Sequence, residues 1–422
     1  MEIKASTDSK DEISHSTTLR DLDQAYYYLQ RTGANVEADV NLRSLRRKID
    51  WRIVPLMFCA YTMQFIDKVL LNYAAVMGLN KNLRLTGNNF TNAATAFFIA
   101  YLIAEIPNAY VLQLLPPAKW LSLNVILWGI STACTAAATN YHSLLAARIF
   151  LGIFEASIAP SLMLLSSQWY TKSEQAPRFS LWYCGLGVGQ IVGGVLSYAF
   201  QQVKRPGFEG WRIMFVVLGL VTVIVGVAIW LVLPDTPMKA KWLSEAEKGV
   251  LLRHVAINRT GIENRRFKPS QILEVFMDVQ LWLLTFTTIL TSISSGVVTT
   301  YSATLIHCIT AVLPVIYQWT AANVAGQTKR VVSVALVAGS FSVGNIIGPQ
   351  TFQAKDAPQY IPAKITVLAT QAGAAAVAFV LFLYYVWANR RKRGTPGAEQ
   401  QGQQDLWDGR TDKEDGSFRY VY

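Results

Sequence analysis

Charge is what this chain has least of. Asp, Glu, Lys and Arg make up 15% of its 422 residues, where soluble domains carry about 25%. That scarcity excludes an ordinary soluble globular protein, and a hydrophobic content of 52% points to the membrane. Cysteine is scarce as well. Cys59, Cys134, Cys184 and Cys308 all fall in apolar segments with no disulfide or zinc spacing, so a disulfide scaffold and a structural metal site are excluded. A secretory leader is not expected: the first 40 residues are polar, and the first apolar stretch is long enough to remain as a span. No nucleophile–base set or metal-ligand cluster is present, and His142 and His307 stand at segment ends without partners. Neither an enzyme nor a cofactor is expected.

What the chain has is long apolar runs, at about 51–79, 90–113, 120–139, 142–168, 179–201, 211–233, 280–305, 307–325, 330–351 and 361–388. A bilayer crossing takes about 20 such residues as a helix, and lone strands cannot satisfy their backbone in lipid. The expectation is an all-α membrane protein of ten spans, the eighth being short and interrupted by Pro314. The net charge of +11 sits in the flanks of these runs rather than in a nucleic-acid-binding surface. Arg43, Arg46, Arg47, Lys48 and Arg52 precede the first run. Lys239, Lys241, Lys248, Arg253, Arg259, Arg265, Arg266 and Lys268 follow the sixth, and Arg390-Arg391-Lys392-Arg393 follows the last. With both termini cytoplasmic, all three clusters fall inside. The organisation expected is a tail over 1–50, six spans over 51–233, a central loop over 234–279, a second half over 280–389 and a tail over 390–422. In the central loop, Ser244-Glu245-Ala246-Glu247 has the form of a capping box opening a surface helix.

Asp67 and Lys68 lie within the first span. Charges at membrane depth cost several kcal/mol unless they face a wet cavity or a partner. Neighbouring residues on a helix point about 100° apart, so these two cannot neutralise each other and each needs its own partner. Arg148, Gly152 and Glu155 recur at i, i+4, i+7 and share one face of the fourth span. Arg148 there either attracts a carboxylate or pairs at the membrane edge, and Glu155 is available for protonation. Glu105 in the second span is a further buried acid. An acid placed between burial and a nearby cation can load and release a proton. A plain ion pair of Asp67 or Glu105 with Arg148 or Lys68 is the alternative. Lys68 is a candidate for holding a substrate anion, and Gln318, Trp319 and Asn323 are candidates to line its path. Thr285, Thr287, Thr288, Thr291, Ser292, Ser294 and Ser295 make the seventh span hydroxyl-rich, either to line a cavity or to bond its own backbone. The run Gly185-Leu186-Gly187-Val188-Gly189 lies inside an apolar span, which excludes a nucleotide loop.

Two spans share a pattern. Gly189-Gln190-Ile191-Val192-Gly193 and Gly344-Asn345-Ile346-Ile347-Gly348 each place small residues four apart with a carboxamide after the first. Such glycines let helices approach closely, and parallel repeats relate the halves of some transporters. Gly189 lies 138 residues after Trp51, but Gly344 lies only 64 after Gln280. The shortfall matches two spans with their loops. No turn separates the seventh run from Ile306-His307-Cys308. A twelve-span plan that has lost its eighth and ninth spans accounts for both, through an alternative transcript or a gene-prediction error. A ten-span protein in its own right is the other reading.

The chain resembles the fungal allantoate permease group, anion:cation symporters of the major facilitator superfamily. The likeness rests on Phe65-Ile66-Asp67-Lys68-Val69-Leu70-Leu71-Asn72, Glu105-Ile106-Pro107-Asn108, Ala147-Arg148-Ile149-Phe150-Leu151-Gly152-Ile153-Phe154-Glu155 and Gly210-Trp211-Arg212-Ile213-Met214-Phe215. It extends to Leu233-Pro234-Asp235-Thr236-Pro237, Tyr317-Gln318-Trp319-Thr320-Ala321-Ala322-Asn323 and the tail end Phe418-Arg419-Tyr420-Val421. It departs at Leu115-Pro116-Pro117-Ala118-Lys119, where the superfamily has a Gly- and Asp-bearing loop. The resemblance implies a helical bundle in the plasma membrane. Its implied activity is proton-coupled import of small organic anions of the allantoate, ureidosuccinate or carboxylated-vitamin class, by a monomer using alternating access. A non-transporting shortened form, sensor or inactive fragment is the competing expectation.

Overall fold

The computed structural model describes residues 24–31, 40–86, 89–203, 209–258, 269–301, 312–350, 361–393, 411–413 and 418–421. Every regular element among them is helical. In chain order these are α1 (Gln24–Arg31), α2 (Leu42–Val76), α3 (Leu79–Asn82), α4 (Asn89–Leu114), α5 (Pro117–Thr135), α6 (Tyr141–Glu155), α7 (Ile158–Trp169) and α8 (Lys172–Tyr183). They continue as α9 (Gly185–Gln201), α10 (Gly210–Val232), α11 (Glu245–Ala256), α12 (Pro269–Phe276), α13 (Val279–Tyr301), α14 (Val312–Asn323), α15 (Gln327–Gln350) and α16 (Ile361–Arg393). The join between Ile306 and His307 lies outside the described residues, as do Cys308 and the side chains of Ser294 and Ser295.

Ten apolar runs became helices, but the described residues yield fewer full spans than ten. Seven helical stretches are long and apolar enough to cross a membrane, and an eighth exists if α12 and α13, bent by 58°, count together. The two that fall short are α5 and α14. The 19-residue α5 carries Lys119, Ser122, Asn124, Ser131 and Thr132 along its length. The 12 described residues of α14 account for only about 18 Å at 1.5 Å per residue, against about 30 Å of hydrocarbon.

Helix limits depart from the hydropathy runs for local reasons. Asn41 caps α2 by accepting from the Arg43 and Ser44 amides at 3.0 and 3.4 Å. The helix therefore starts nine residues before the apolar run, burying Leu45, Ile49 and Ile53 at helical spacing. The fourth run divides into α6 and α7 after Glu155, and the fifth into α8 and α9 at Cys184. In the central segment the capping box forms as the spacing predicts. Glu247 N donates to Ser244 Oγ at 3.2 Å, and Ser244 N donates to Glu247 Oε2 at 2.8 Å.

Inside lipid, helices associate through packing rather than hydrophobic transfer, and the glycines mark where they do. On α9, a Cβ at Gly189 would lie 3.1 Å from Thr62 O, and one at Gly193 3.0 Å from the Tyr73 ring, so α9 lies against α2. On α15, a Cβ at Gly344 would lie 2.8 Å from Ile289 O and 3.0 Å from Ile293 N, so α15 lies against α13. Gly348 is buried one turn further on. The two glycine motifs thus make equivalent contacts in the two helix groups, α2–α10 and α12–α16.

Ion pairs gather at one end of the bundle. Arg178 forks onto Asp50 at 2.9 and 2.6 Å, Arg46 meets Glu174 at 2.5 Å, and Lys48 meets Glu247 at 2.8 Å. They tie the start of α2 to α8 and α11.

Candidate functional site

Asp67 and Lys68 take different partners, as their angular separation requires. Thr132 on α5 donates its hydroxyl to Asp67 Oδ1 at 2.9 Å. Lys68 Nζ lies 3.4 Å from Glu155 Oε1 on α6, a carboxylate with no exposed surface. It also stands 5.9 Å from the Tyr101 ring centroid and 4.8 Å from that of Phe341. Phe341 belongs to α15, so this one ammonium touches both helix groups. Of the buried acids, Glu155 is the one within ion-pair distance of Lys68 among the described residues.

The stripe on α6 is buried throughout. Gly152 is required by contact, because a Cβ there would run into Phe97 O and come within 3.1 Å of Tyr101 N. That closeness seats α6 on α4 and brings Glu155 to Lys68. Arg148 is 3% exposed and within electrostatic reach of Asp67 and Glu155. Its Nε and Nη2 nonetheless lack hydrogen-bond partners, as does the second oxygen of Asp67. The site is charged and close-packed, but its hydrogen bonds are incomplete.

Glu105 is within electrostatic reach of Lys68 but is not hydrogen-bonded to it. It is 1% exposed, and neither carboxylate oxygen has a hydrogen-bond partner. It lines an apolar cavity of about 400 Å³ with Tyr110, Val275, Thr285, Leu336 and Gly339.

The α14 residues divide. Gln318 is buried, and its neighbour Tyr317 is electrostatically coupled to Tyr183 and Glu105. Trp319 packs edge-on against Tyr385 at 6.0 Å. Asn323 does not join the group: its carboxamide is spent on the backbone of Val421 at 2.8 and 2.6 Å. Thr287, Thr288 and Thr291 bond carbonyls one turn back on their own helix, at 2.8 to 2.9 Å. Their hydroxyls bond the backbone rather than line a cavity.

The sequence reading passed over Gln64, Tyr101, Thr132, Tyr317 and Phe341. Gln64 is 2% exposed and its amide faces Tyr101 and Glu155. Its position one turn before Lys68, and that of Tyr101 one turn before Glu105, was the available signal. Thr132 and Phe341 carried none, because only the tertiary fold brings them to the pair.

A sequence profile described as Major Facilitator Superfamily matches residues 57–387. The "Thiamine pathway transporter THI73" of Saccharomyces cerevisiae is 34% identical over 458 aligned positions, which cover 89% of this chain and 86% of that protein. Since 89% of this chain is about 376 residues, about 80 aligned positions of the relative face no residue here. The "Allantoate permease" of the same organism is 27% identical, covering 90% of this chain and 86% of its own length. The solved proton:xylose symporter XylE aligns with a TM-score of 0.49 at 13% identity, over 85% of this chain and 92% of that one. The profile runs from within the first long helix into the last, and the chain therefore belongs to the Major Facilitator Superfamily, multi-pass membrane transporters and not enzymes.

Proposed function

We propose that this chain descends from a proton-coupled importer of small organic anions of the allantoate, ureidosuccinate or carboxylated-vitamin class. The importer works as a monomer in a fungal plasma membrane with both termini cytoplasmic. The observation that carries the reading is Lys68, a cation at membrane depth framed by Tyr101, Phe341 and the Glu155 carboxylate. A substrate carboxylate that displaces Glu155 gains Lys68, and Arg148 offers it free guanidinium N–H groups in bidentate geometry. Glu155, once displaced, loses the ammonium of Lys68 and becomes the natural acceptor for the co-transported proton. Glu105, without a hydrogen-bond partner, is a second carrier, and Asp67 lies within electrostatic reach of Arg148. Because Lys68 reaches Phe341 on α15, occupancy is sensed by both helix groups, as alternating access about a midplane site demands. The likeness to allantoate permease supports the anion class. The likeness to a thiamine pathway transporter supports a competing substrate.

Uptake of labelled allantoate, ureidosuccinate, nicotinate, pantothenate and thiamine, with and without a protonophore, tests the class. At least one carboxylate should be taken up saturably and lose its uptake when the proton gradient collapses. Preferential thiamine uptake would overturn the anion reading. Asp67→Asn, Glu105→Gln and Arg148→Ala should each abolish uptake at normal membrane abundance. Full uptake in all three removes the site assignment.

A second reading concerns the chain as it stands: a shortened form that no longer transports. Three observations favour it. The sequence offers no turn residues between the apolar runs that meet at Ile306 and His307, about 80 positions of the relative are unmatched, and the glycine-motif helix is fifth in one group but third in the other. Genomic sequence across the join decides. About 70–80 in-frame codons encoding two apolar runs would mark this chain as the short product of a twelve-span gene.

A further inference from the structure

The end of the bundle that collects the ion pairs also holds the C-terminal tail. Asn389 near the end of α16 and Asn323 at the end of α14 grip two successive tail residues in the same way. Asn389 donates Nδ2–H to Tyr420 O at 2.8 Å and accepts from Tyr420 N at 2.9 Å. Asn323 makes the matching exchange with Val421 at 2.8 and 2.6 Å. Each carboxamide satisfies both backbone groups of one residue, as a sheet partner would. The Tyr420 ring stacks on Tyr385 at 5.4 Å, and its hydroxyl donates to Asp412 Oδ2 at 3.0 Å. Asp412 is fully buried and forms the second anchor. It pairs with Lys329 at 2.8 Å and accepts from Ala325 N and Gln280 Nε2, both at 3.2 Å. Every one of these partners lies in the second helix group or in the tail itself.

A contact from the described tail residues also crosses to the first group. Lys172 opens α8, and its Nζ stands 3.6 Å over the centroid of Phe418, a ring 1% exposed. Below it the seam between the groups is closed. Gln113 Nε2 of α4 donates to Thr328 Oγ1 of α15 at 2.8 Å. The void between Met163, Leu164, Ser167, Ala321, Arg330 and Val331 is about 10 Å³, too small for a solute.

We infer that the tail is a strap that travels with the second group and latches this end of the seam shut through Phe418 beneath Lys172. The asymmetry of the attachments carries the inference. Four paired backbone bonds and a buried ion pair fix the strap on one side, and on the other Lys172 of the first group stands over Phe418 in a cation–π contact, a kind readily made and broken. Opening the seam at this end has to part Phe418 from Lys172 and need not disturb the other anchors. This device is independent of which substrate the bundle carries.

The test reads seam opening directly. In the full chain, with the four native cysteines changed to Ser, Ser167→Cys places a thiol at the buried seam, and its labelling by a polar maleimide is followed in detergent. Phe418→Leu keeps the bulk of the ring and drops its face, and Lys172→Gln keeps length and drops charge. Each should speed labelling about fivefold or more, and the double variant should label no faster than either single one. Unchanged labelling in both variants, or additive effects in the double, overturns the latch. Asn389→Ala frees the strap from its own side and should speed labelling to the same extent. If it alone acts, the tail is a packing element and no latch.

Discussion

Glu155 and Lys68 form an unforgiving pair, because the carboxylate has no exposed surface at all. Removing one member of a buried pair strands the other, at a cost of about 3–5 kcal/mol. Lys68→Met should therefore lower the thermal midpoint of the detergent-purified protein sharply, and adding Glu155→Gln should restore most of the loss. Equal midpoints for wild type and Lys68→Met would mean that no such pair exists. Gly152 makes a complementary case. Its missing Cβ is what lets α6 lie on α4, so Gly152→Ala should cost about 1–3 kcal/mol as an overpacked contact, read from the same melting curve. Asn323 shows where residue-level reading of a sequence stops. A carboxamide in an apolar segment looks like a cavity group, and its real partner, Val421, lies 98 residues away. Nothing local distinguishes the two roles.

At the scale of elements, the hydropathy runs were legible because lipid leaves the backbone few options. Their ends were not. The start of α2 was hidden since its first turns are amphipathic rather than apolar, and the break at Cys184 has no proline to announce it. The one terminus that could be read, Ser244 opening α11, has a chemical signature instead of a hydrophobic one. That helix also carries a pH dependence. Partial burial pushes the Glu247 carboxyl up, but Lys48 and the Ser244 amide outweigh it and hold it below the usual carboxylate range. The hydrogen bond from Tyr28 and the ammonium of Lys248 hold Glu245 low as well. For carboxyls lowered on folding, the stabilising contribution is complete above the unfolded value of about 4.3. It is lost as pH falls through the lower folded values. Hydrogen exchange in α11 should thus be unchanged from pH 7 to 5, once corrected for intrinsic rates, and should accelerate below pH 4. Ser244→Ala should shift the whole profile toward faster exchange by removing the cap, a loss of about 0.5–2 kcal/mol. A flat profile to pH 3 would show that the clasp contributes nothing to holding α11.

At the scale of the whole molecule, the repeat seen in the glycines and the packing seen in the bundle agree on what is out of place. In the first group, α9 is the fifth membrane segment and lies on the first, α2. In the second group, α15 makes the equivalent contact with α13 but is only the third. The last helix shows the consequence. Only 11% of the apolar window of α16 is buried, against 33% for α10, which closes the first group on α5. Lipid tolerates a bare apolar face, so the bundle can stand without the missing wall, but it forgoes the helix–helix packing that holds membrane bundles together. The short chain should therefore insert and yet be the weaker of two forms. Restoring about 75 residues between Ile306 and His307, in the frame of two apolar spans with their loops, should raise the melting temperature and lengthen the cellular half-life in a translation-arrest chase. It should also raise uptake above that of the short form. A short form as long-lived as the restored one, and equally active in uptake, would make the ten-segment bundle a complete transporter in its own right. The packing of α15 on α13 would then be its native plan and not the trace of a loss.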